Sequence, residues 1–386
     1  MTASRLRRPA PTRLAVAVPS LLALSLGAAA CSGSTPPSAD AASSETTAEA
    51  LGTPAQAAAA VFADLDGSGA PGCAAAVSVD GEVVFADGFG TADLELGTPI
   101  TPTTRFDIAS VSKSIAAATT LVLVENGVIA LEDSIATWLP ELPESWGDVT
   151  VDDLLHHTSG LPSYEDALAD QIPETGSSTP DDALAVLVAQ PDLTFEPGTA
   201  WEYSNSGYFL LSLIVARATG EEFADVVASQ VLEPVGMDDT FVRTDWDEPV
   251  EDGAAGYVQT GEGEFEPYES RWAQQGDGAV QSTVLDLLRW VDEWRTAAAL
   301  GDAVQREMQT PVVLDDGTAQ DYGAGLELTT DGQGRTVVGH SGAWLGSSSL
   351  VVLYPDESVG GAITCNIDDD DTLDARMDEL LGIWLD

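Results

Sequence analysis

One lysine, Lys113, stands against thirteen arginines in the 386 residues. A guanidinium does not give up its proton inside a protein, so a nitrogen meant to accept one must belong to lysine or histidine. Lys113 follows Ser110 by three positions, in Ser110-Val111-Ser112-Lys113. On a helix this spacing puts hydroxyl and amine on neighbouring faces of one turn, where the amine can take the proton of an attacking oxygen. A helix N-terminus there also favours the negative charge that such an attack develops. Two further short runs carry polar chemistry: Tyr203-Ser204-Asn205, and His340-Ser341-Gly342 in a strand-like context.

Other chemistries fit less well. Gly339-His340-Ser341-Gly342-Ala343 is a near miss to a nucleophile elbow, but that arrangement needs a histidine later in the chain, and none follows His340. The three histidines, two of them adjacent, offer no zinc-ligand spacing, and no motif implies a metal or an organic cofactor. His157 reads as a turn anchor outside the site, and His156 carries less information still. Asn205 and Ser206 also suit simple capping of the helix that follows.

The elements that must position these residues begin with a helix over 55–66 and two strands within 73–90, joined at Asp80-Gly81, a pair suited to a tight hairpin. Ser110 to Asn126 has a strong helical pattern stopped by Gly127, with Ser110 on its first turn. Helical spacing continues in 206–219, 221–232 and 282–298. Strand signals return at 337–339, 349–354 and 359–367, before a final helix from about Leu373 to Trp384. The fold class is therefore α/β (α+β). An antiparallel sheet is built from N- and C-terminal segments and flanked by helices, and a mostly helical middle region shares one cleft with it.

The three motifs, in this order and at these separations, resemble those of the serine beta-lactamase-related family, which includes class C beta-lactamases, penicillin-binding DD-peptidases and esterases. Supporting stretches are Gly88 to Asp93, Leu154 to Pro162 and Gly278 to Thr283, and the resemblance spans about residues 56–386. It implies a serine hydrolase working through an acyl-enzyme on Ser110, with Lys113 as base and Tyr203 as its partner and as acid to the leaving group. Asn205 would bond the acyl side chain or the Lys113 amine, while His340, Ser341 and Gly342 would lie beside the substrate. The amides of Ser110 and Ala343 would form the oxyanion hole. Class C enzymes have lysine where this chain has His340, a variant more similar to DD-peptidases, D-amino-acid peptidases and esterases. The expected activity is DD-carboxypeptidase, D-amino peptidase or esterase, on a small-molecule or peptide acyl substrate such as a cell-wall stem peptide. The alternatives are a beta-lactamase and a non-catalytic penicillin or peptidoglycan sensor.

Acidity sets the surroundings: 64 Asp and Glu face 14 basic residues, for a net charge of -50. Such a field excludes nucleic acid and anionic lipid surfaces as partners. The acids are spread along the chain, and the one run, Asp368 to Asp371, reads as a solvated loop. Residues 1–30 carry four arginines, no acid and an apolar stretch, which is a secretory signal. Without them ten basic residues face the 64 acids, a charge of about -54. Ala28-Ala29-Ala30-Cys31 resembles a lipoprotein cleavage site, and residues 31–55 suit a flexible Ser/Thr/Pro/Ala-rich linker. The expectation is an exported lipoprotein whose only membrane contact is its anchor at Cys31, with cleavage and release as the alternative. Cys73 and Cys365 then remain as an even pair, either disulfide-bonded or buried as free thiols.

Overall fold

The computed structural model describes residues 53–65, 67, 69–173, 176–367 and 372–385. The signal segment, Cys31, the linker up to residue 52 and the Asp368–Asp371 run lie outside the described residues.

Six antiparallel strands make the main sheet. They are β1 (Cys73–Val79), β2 (Glu82–Phe89), β3 (Glu327–Thr330), β4 (Thr336–Trp344), β5 (Ser347–Tyr354) and β6 (Val359–Cys365). Their order is β3-β4-β5-β6-β1-β2, so the first strand pairs with the last. The β1–β2 hairpin closes through Asp80 (φ 53°) and Gly81 (φ 82°), both in the left-handed region that a two-residue turn of this hand needs.

Alternation along the strands sorts side chains to two apolar layers. Ala75, Val77, Leu350, Val352, Val359 and Ile363 pack with Ala58 of the first helix, with Phe62 just beyond its end, and with Met377, Leu380 and Leu381 from Leu373–Gly382. Ala74, Ala76, Val351, Leu353 and Ala362 face the larger layer, which contains Trp290 and Val291 and the helical middle region. Strands β5 and β6 are buried along their whole length, in keeping with the absence of any charged residue in either. Cys73 stands opposite Cys365 in the β1–β6 register, and their sulfurs are bonded at 2.06 Å.

Two helices carry the motifs. Helix α1 (Ser112–Glu125) is buried on nearly every side, and the chain leaves it through Gly127 at φ 70°. Helix α2 (Asn205–Thr219) is capped by the Ser204 hydroxyl, which accepts from the Gly207 amide, and ends at Gly220 in the left-handed conformation. Helix 221–232 departs from expectation, because Phe223–Val227 is α-helical and Ala228–Leu232 is a π turn. The first helix also stops early, at Ala60.

Candidate active site

Ser110 lies in a single 3-10 turn, Ala109–Val111, immediately before α1. Ala109 has φ 46°, a costly conformation for a residue with a side chain, and its amide donates to Asp107 Oδ1 at 2.8 Å. The short strand Phe106–Asp107 is itself held by Val280–Ser282. From the other side β4 presses close: a Cβ on Gly342 would fall 2.5 Å from the Ile108 carbonyl oxygen and 2.9 Å from the Ser110 nitrogen. Only glycine fits there. The hydroxyl of Ser349 on β5 donates to the same Ile108 carbonyl at 2.7 Å, so the sheet fixes the turn through two neighbouring strands.

The Lys113 side chain is fully buried, with Nζ 3.0 Å from Ser110 Oγ and 2.9 Å from the Asp277 carbonyl oxygen. It lies over the Tyr203 ring, 4.9 Å from the centroid. Tyr203 stacks on His157 at 4.5 Å, and His157 Nδ1 accepts the Ser204 amide at 3.1 Å. Burial, with the Lys113 charge second, holds His157 well below the usual histidine range, so it is the neutral acceptor this bond requires. His157 does anchor a turn by hydrogen bonding, as expected, but that turn carries Tyr203 and so belongs to the site.

Two further expectations change. Of the two roles expected of Asn205, the bond to Lys113 is not made: its Nδ2 donates to Glu165 Oε1 at 2.6 Å in the cleft wall, and the second lysine partner is the Asp277 carbonyl. His340 is not at the substrate edge but buried, with Nδ1 2.6 Å from the Ser341 carbonyl and Nε2 3.0 Å from the Tyr322 hydroxyl. A proton on Nδ1 satisfies the carbonyl and leaves Nε2 to accept from Tyr322. Burial first and Lys113 second push His340 down to about 3, so it is a neutral brace. Ser341 is exposed beside Glu327 at 3.4 Å, whereas Ala343 faces the cleft with Ser110. Strand β3 pairs with β4 only as far as Gly339, which leaves the 340–344 edge without a strand partner.

The cleft beside Ser110 has a volume of about 670 Å³, open solvent included, and is walled by Glu165, Asn205, Trp272, Asp277, Ala343 and Trp344. Sequence reasoning missed its acids. Glu165 comes from the short helix Tyr164–Ala169, and Asp277 accepts the Tyr164 hydroxyl at 2.5 Å. Burial, then Asp277, raises Glu165 to about 7, and burial also raises Asp277. Asn205 Oδ1, Gln274 Oε1 and Asp277 Oδ1 are buried acceptors that meet no donor. The position of Asp277 immediately before the Gly278–Thr283 stretch was the one signal for it; nothing in 163–180 marked Glu165.

A model of the beta-lactamase family matches residues 57–382. The chain belongs to the beta-lactamase family. It is 32% identical over 289 residues to a penicillin-binding protein of Bacillus subtilis strain 168, covering 72% of this chain and 64% of that one. A D-aminopeptidase of Gluconobacter oxydans strain 621H is 32% identical over 280 residues, covering 72% and 52%. The chain thus spans between half and two thirds of the length of these curated relatives. Among solved structures, the D-amino acid amidase of Ochrobactrum anthropi SV3 superposes with a TM-score of 0.71 at 26% identity, covering 85% of this chain and 97% of that one. In this beta-lactamase-family fold Asp152, His156 and Glu307 also bring side-chain ligand atoms within 4.8 Å of one another. None of the three lines the cleft, and the His156–Asp152 pair at 3.0 Å accounts for their approach.

Proposed function

We propose that this protein is a serine hydrolase that forms an acyl-enzyme on Ser110, acting as a D-aminopeptidase or amidase. The observation that carries the reading is the 3.0 Å contact between Ser110 Oγ and the buried Lys113 amine. The oxygen attacks the acyl carbon while its proton passes to Lys113, and the carbonyl oxygen takes up negative charge against the amides of Ser110 and Ala343. When the tetrahedral species collapses, the bond to the leaving amine breaks, and Tyr203, 39% exposed with its ring against the Lys113 amine, delivers the proton to it. Water then attacks the ester, with the same groups moving its protons in reverse, and frees the acid.

The walls favour an aminoacyl donor. Buried acceptors without donors, beside the Glu165 carboxyl, suit a cationic group rich in N–H, which an α-ammonium supplies. The D-handedness rests on the relatives' activities. His340, neutral and buried, offers no charge to a substrate carboxylate, which weighs against DD-carboxypeptidase and beta-lactamase action. Ester hydrolysis needs the same machinery and stands as the second reading; a sensor that is acylated without turnover stands third. Export with acylation at Cys31 belongs to the proposal as well.

The test is intact-protein mass spectrometry with p-nitrophenyl acetate and a fluorescent penicillin, alongside turnover of D- and L-alanine amides. An adduct confined to Ser110 with turnover of the D-amide supports the reading. An adduct without turnover moves the protein to the sensor class, and neither adduct nor turnover refutes acyl transfer.

A further inference from the structure

Most of the described arginines are paired with a carboxylate. Among the described residues six of the nine arginines have a carboxylate oxygen within 4 Å: Arg105, Arg217, Arg289, Arg295, Arg335 and Arg376. Arg243, Arg271 and Arg306 do not; Arg306 lies on the helix Asp302–Met308, outside the cleft lining, and the other two lie at one end of the acyl cleft. Arg243 lines the cleft, and Arg271 stacks over Trp246, another wall residue, at 5.3 Å. In a chain of net charge -50, two cations without carboxylate partners at a single place are set apart from Arg306, which stands by itself.

Arg243 is also held rigidly. Its amide donates to the Ala279 carbonyl at 2.8 Å, its Nε to Asp245 O at 3.2 Å, and its Nη2 to the carbonyls of Trp246 and of Glu248, the latter at 3.0 Å. Three main-chain carbonyls thus fix the guanidinium plane but neutralise no charge, and among the described residues Nη1 has no hydrogen-bond partner. Asp107 shares the cleft wall with Arg243 and feels its charge, but its carboxylate is committed to the Ala109 amide and burial disfavours its ionisation. Arg243 stands where the cleft opens into a second, more polar hollow, sharing Asp107 and Ser270 with both. The cleft takes in Ala343 and Trp344 but neither Tyr203 nor His340, so this end receives the acyl group and not the leaving group.

We infer that Arg243 is a carboxylate subsite for the acyl moiety, so that the preferred donor is an aminodicarboxylic acyl group with its ammonium toward Glu165 and its side-chain carboxylate on Arg243. This rests on the acyl-enzyme reading above and adds the substrate's second charge. A planar guanidinium with its orientation set beforehand recognises a carboxylate at little further ordering cost. The protein's overall negative field opposes an anion but is screened by salt, whereas the contact at Arg243 is local.

The experiment compares kcat/KM for D-glutamic acid α-amide with that for D-glutamine α-amide, its uncharged isostere, on the wild type, Arg243→Gln and Arg243→Lys. The wild type should prefer the acid by about ten- to a hundredfold, the size of a hydrogen bond to a charged partner. The preference should fall to near unity in Arg243→Gln and be partly kept in Arg243→Lys, with circular dichroism confirming that both are folded. A wild-type ratio near one, or a ratio that survives Arg243→Gln, overturns the inference. Should the wild type give no acyl-enzyme with p-nitrophenyl acetate, the parent reading falls, yet calorimetry on Ser110→Ala still decides this one. D-glutamate binding more tightly than D-glutamine, with the difference abolished by Arg243→Gln, supports it, and equal binding refutes it.

Discussion

The two ends of the cleft are built on opposite terms. At the Ser110 end the groups around the nucleophile are paired: Lys113 bonds Ser110 and Asp277, His340 is saturated by Ser341 and Tyr322, and Gly342 closes the packing, with His157 Nε2 a buried exception. At the acyl end Asn205 Oδ1, Gln274 Oε1 and Asp277 Oδ1 go without donors, and Arg243 goes without a carboxylate. A saturated network holds geometry, as proton transfer between fixed atoms requires. Buried polar groups without partners cost stability until something binds, and what binds best is the molecule that pairs with them. The contrast separates the part of the site that performs the reaction from the part that selects the reactant.

The strongest break of that contrast is removal of the nucleophile or the base. Ser110→Ala and Lys113→Arg should each lower p-nitrophenyl acetate turnover by about 10⁴-fold or more, the arginine variant because it keeps the charge and cannot accept the proton. Retained turnover in Lys113→Arg, followed by the p-nitrophenol absorbance, would remove the lysine from the mechanism. Next comes geometry: Gly342→Ala must push β4 off the Ser110 turn, and a displacement near 1 Å costs about 10²-fold in kcat, with KM less affected. Steady-state kinetics showing the reverse pattern would place Gly342 in substrate binding instead.

At the selecting end the effects are smaller and depend on pH. Glu165, raised to about 7, acquires its charge between pH 6 and 8, so affinity for a cationic acyl group should rise across that window. Glu165→Gln should raise KM about tenfold, the scale of one charge-assisted bond, and flatten the profile. The sign for stability is opposite. A carboxyl whose folded value lies above its unfolded one contributes fully below about 4.5 and loses that contribution as pH rises through 7. Thermal melts at pH 5 and 8 should therefore differ less for Glu165→Gln than for the wild type. The smallest effect on turnover is expected from Cys73→Ser with Cys365→Ser, far from the cleft on the opposite face of the sheet. That pair should leave kcat unchanged while costing about 2–5 kcal/mol of stability, read from urea unfolding.

What was legible in the sequence followed from spacing over a few residues. Ser110 and Lys113 are three apart, the Asp80-Gly81 turn is two residues, and Gly127 and Gly220 end their helices by local conformation. That the sheet draws its strands from both ends of the chain also followed from where the strand signals lie. The acyl end was not legible, because Glu165, Asp277 and Arg243 come from three separate segments and meet only through packing. His340 shows the same limit from the other side. Its place in the motif was plain, but which way the ring turns depends on Tyr322, a residue outside every motif. The π turn at Ala228–Leu232 likewise has a helical pattern and a different hydrogen-bond count.

The pairing of β1 with β6 sets an order of assembly. Cys73 and Cys365 are partners in register although they stand 292 positions apart in the sequence. A chain growing from its N-terminus carries the β1–β2 hairpin with one edge exposed until nearly all the rest has been made. Long-range pairing of this kind makes closure of the sheet slow, and an uncovered apolar edge in the meantime invites aggregation. The thiols of Cys73 and Cys365 thus form a clock for maturation. Their disappearance in a refolding time course, trapped by alkylation, should coincide with the appearance of the first acylatable Ser110, since β4 and β5 of the same sheet hold that serine in place.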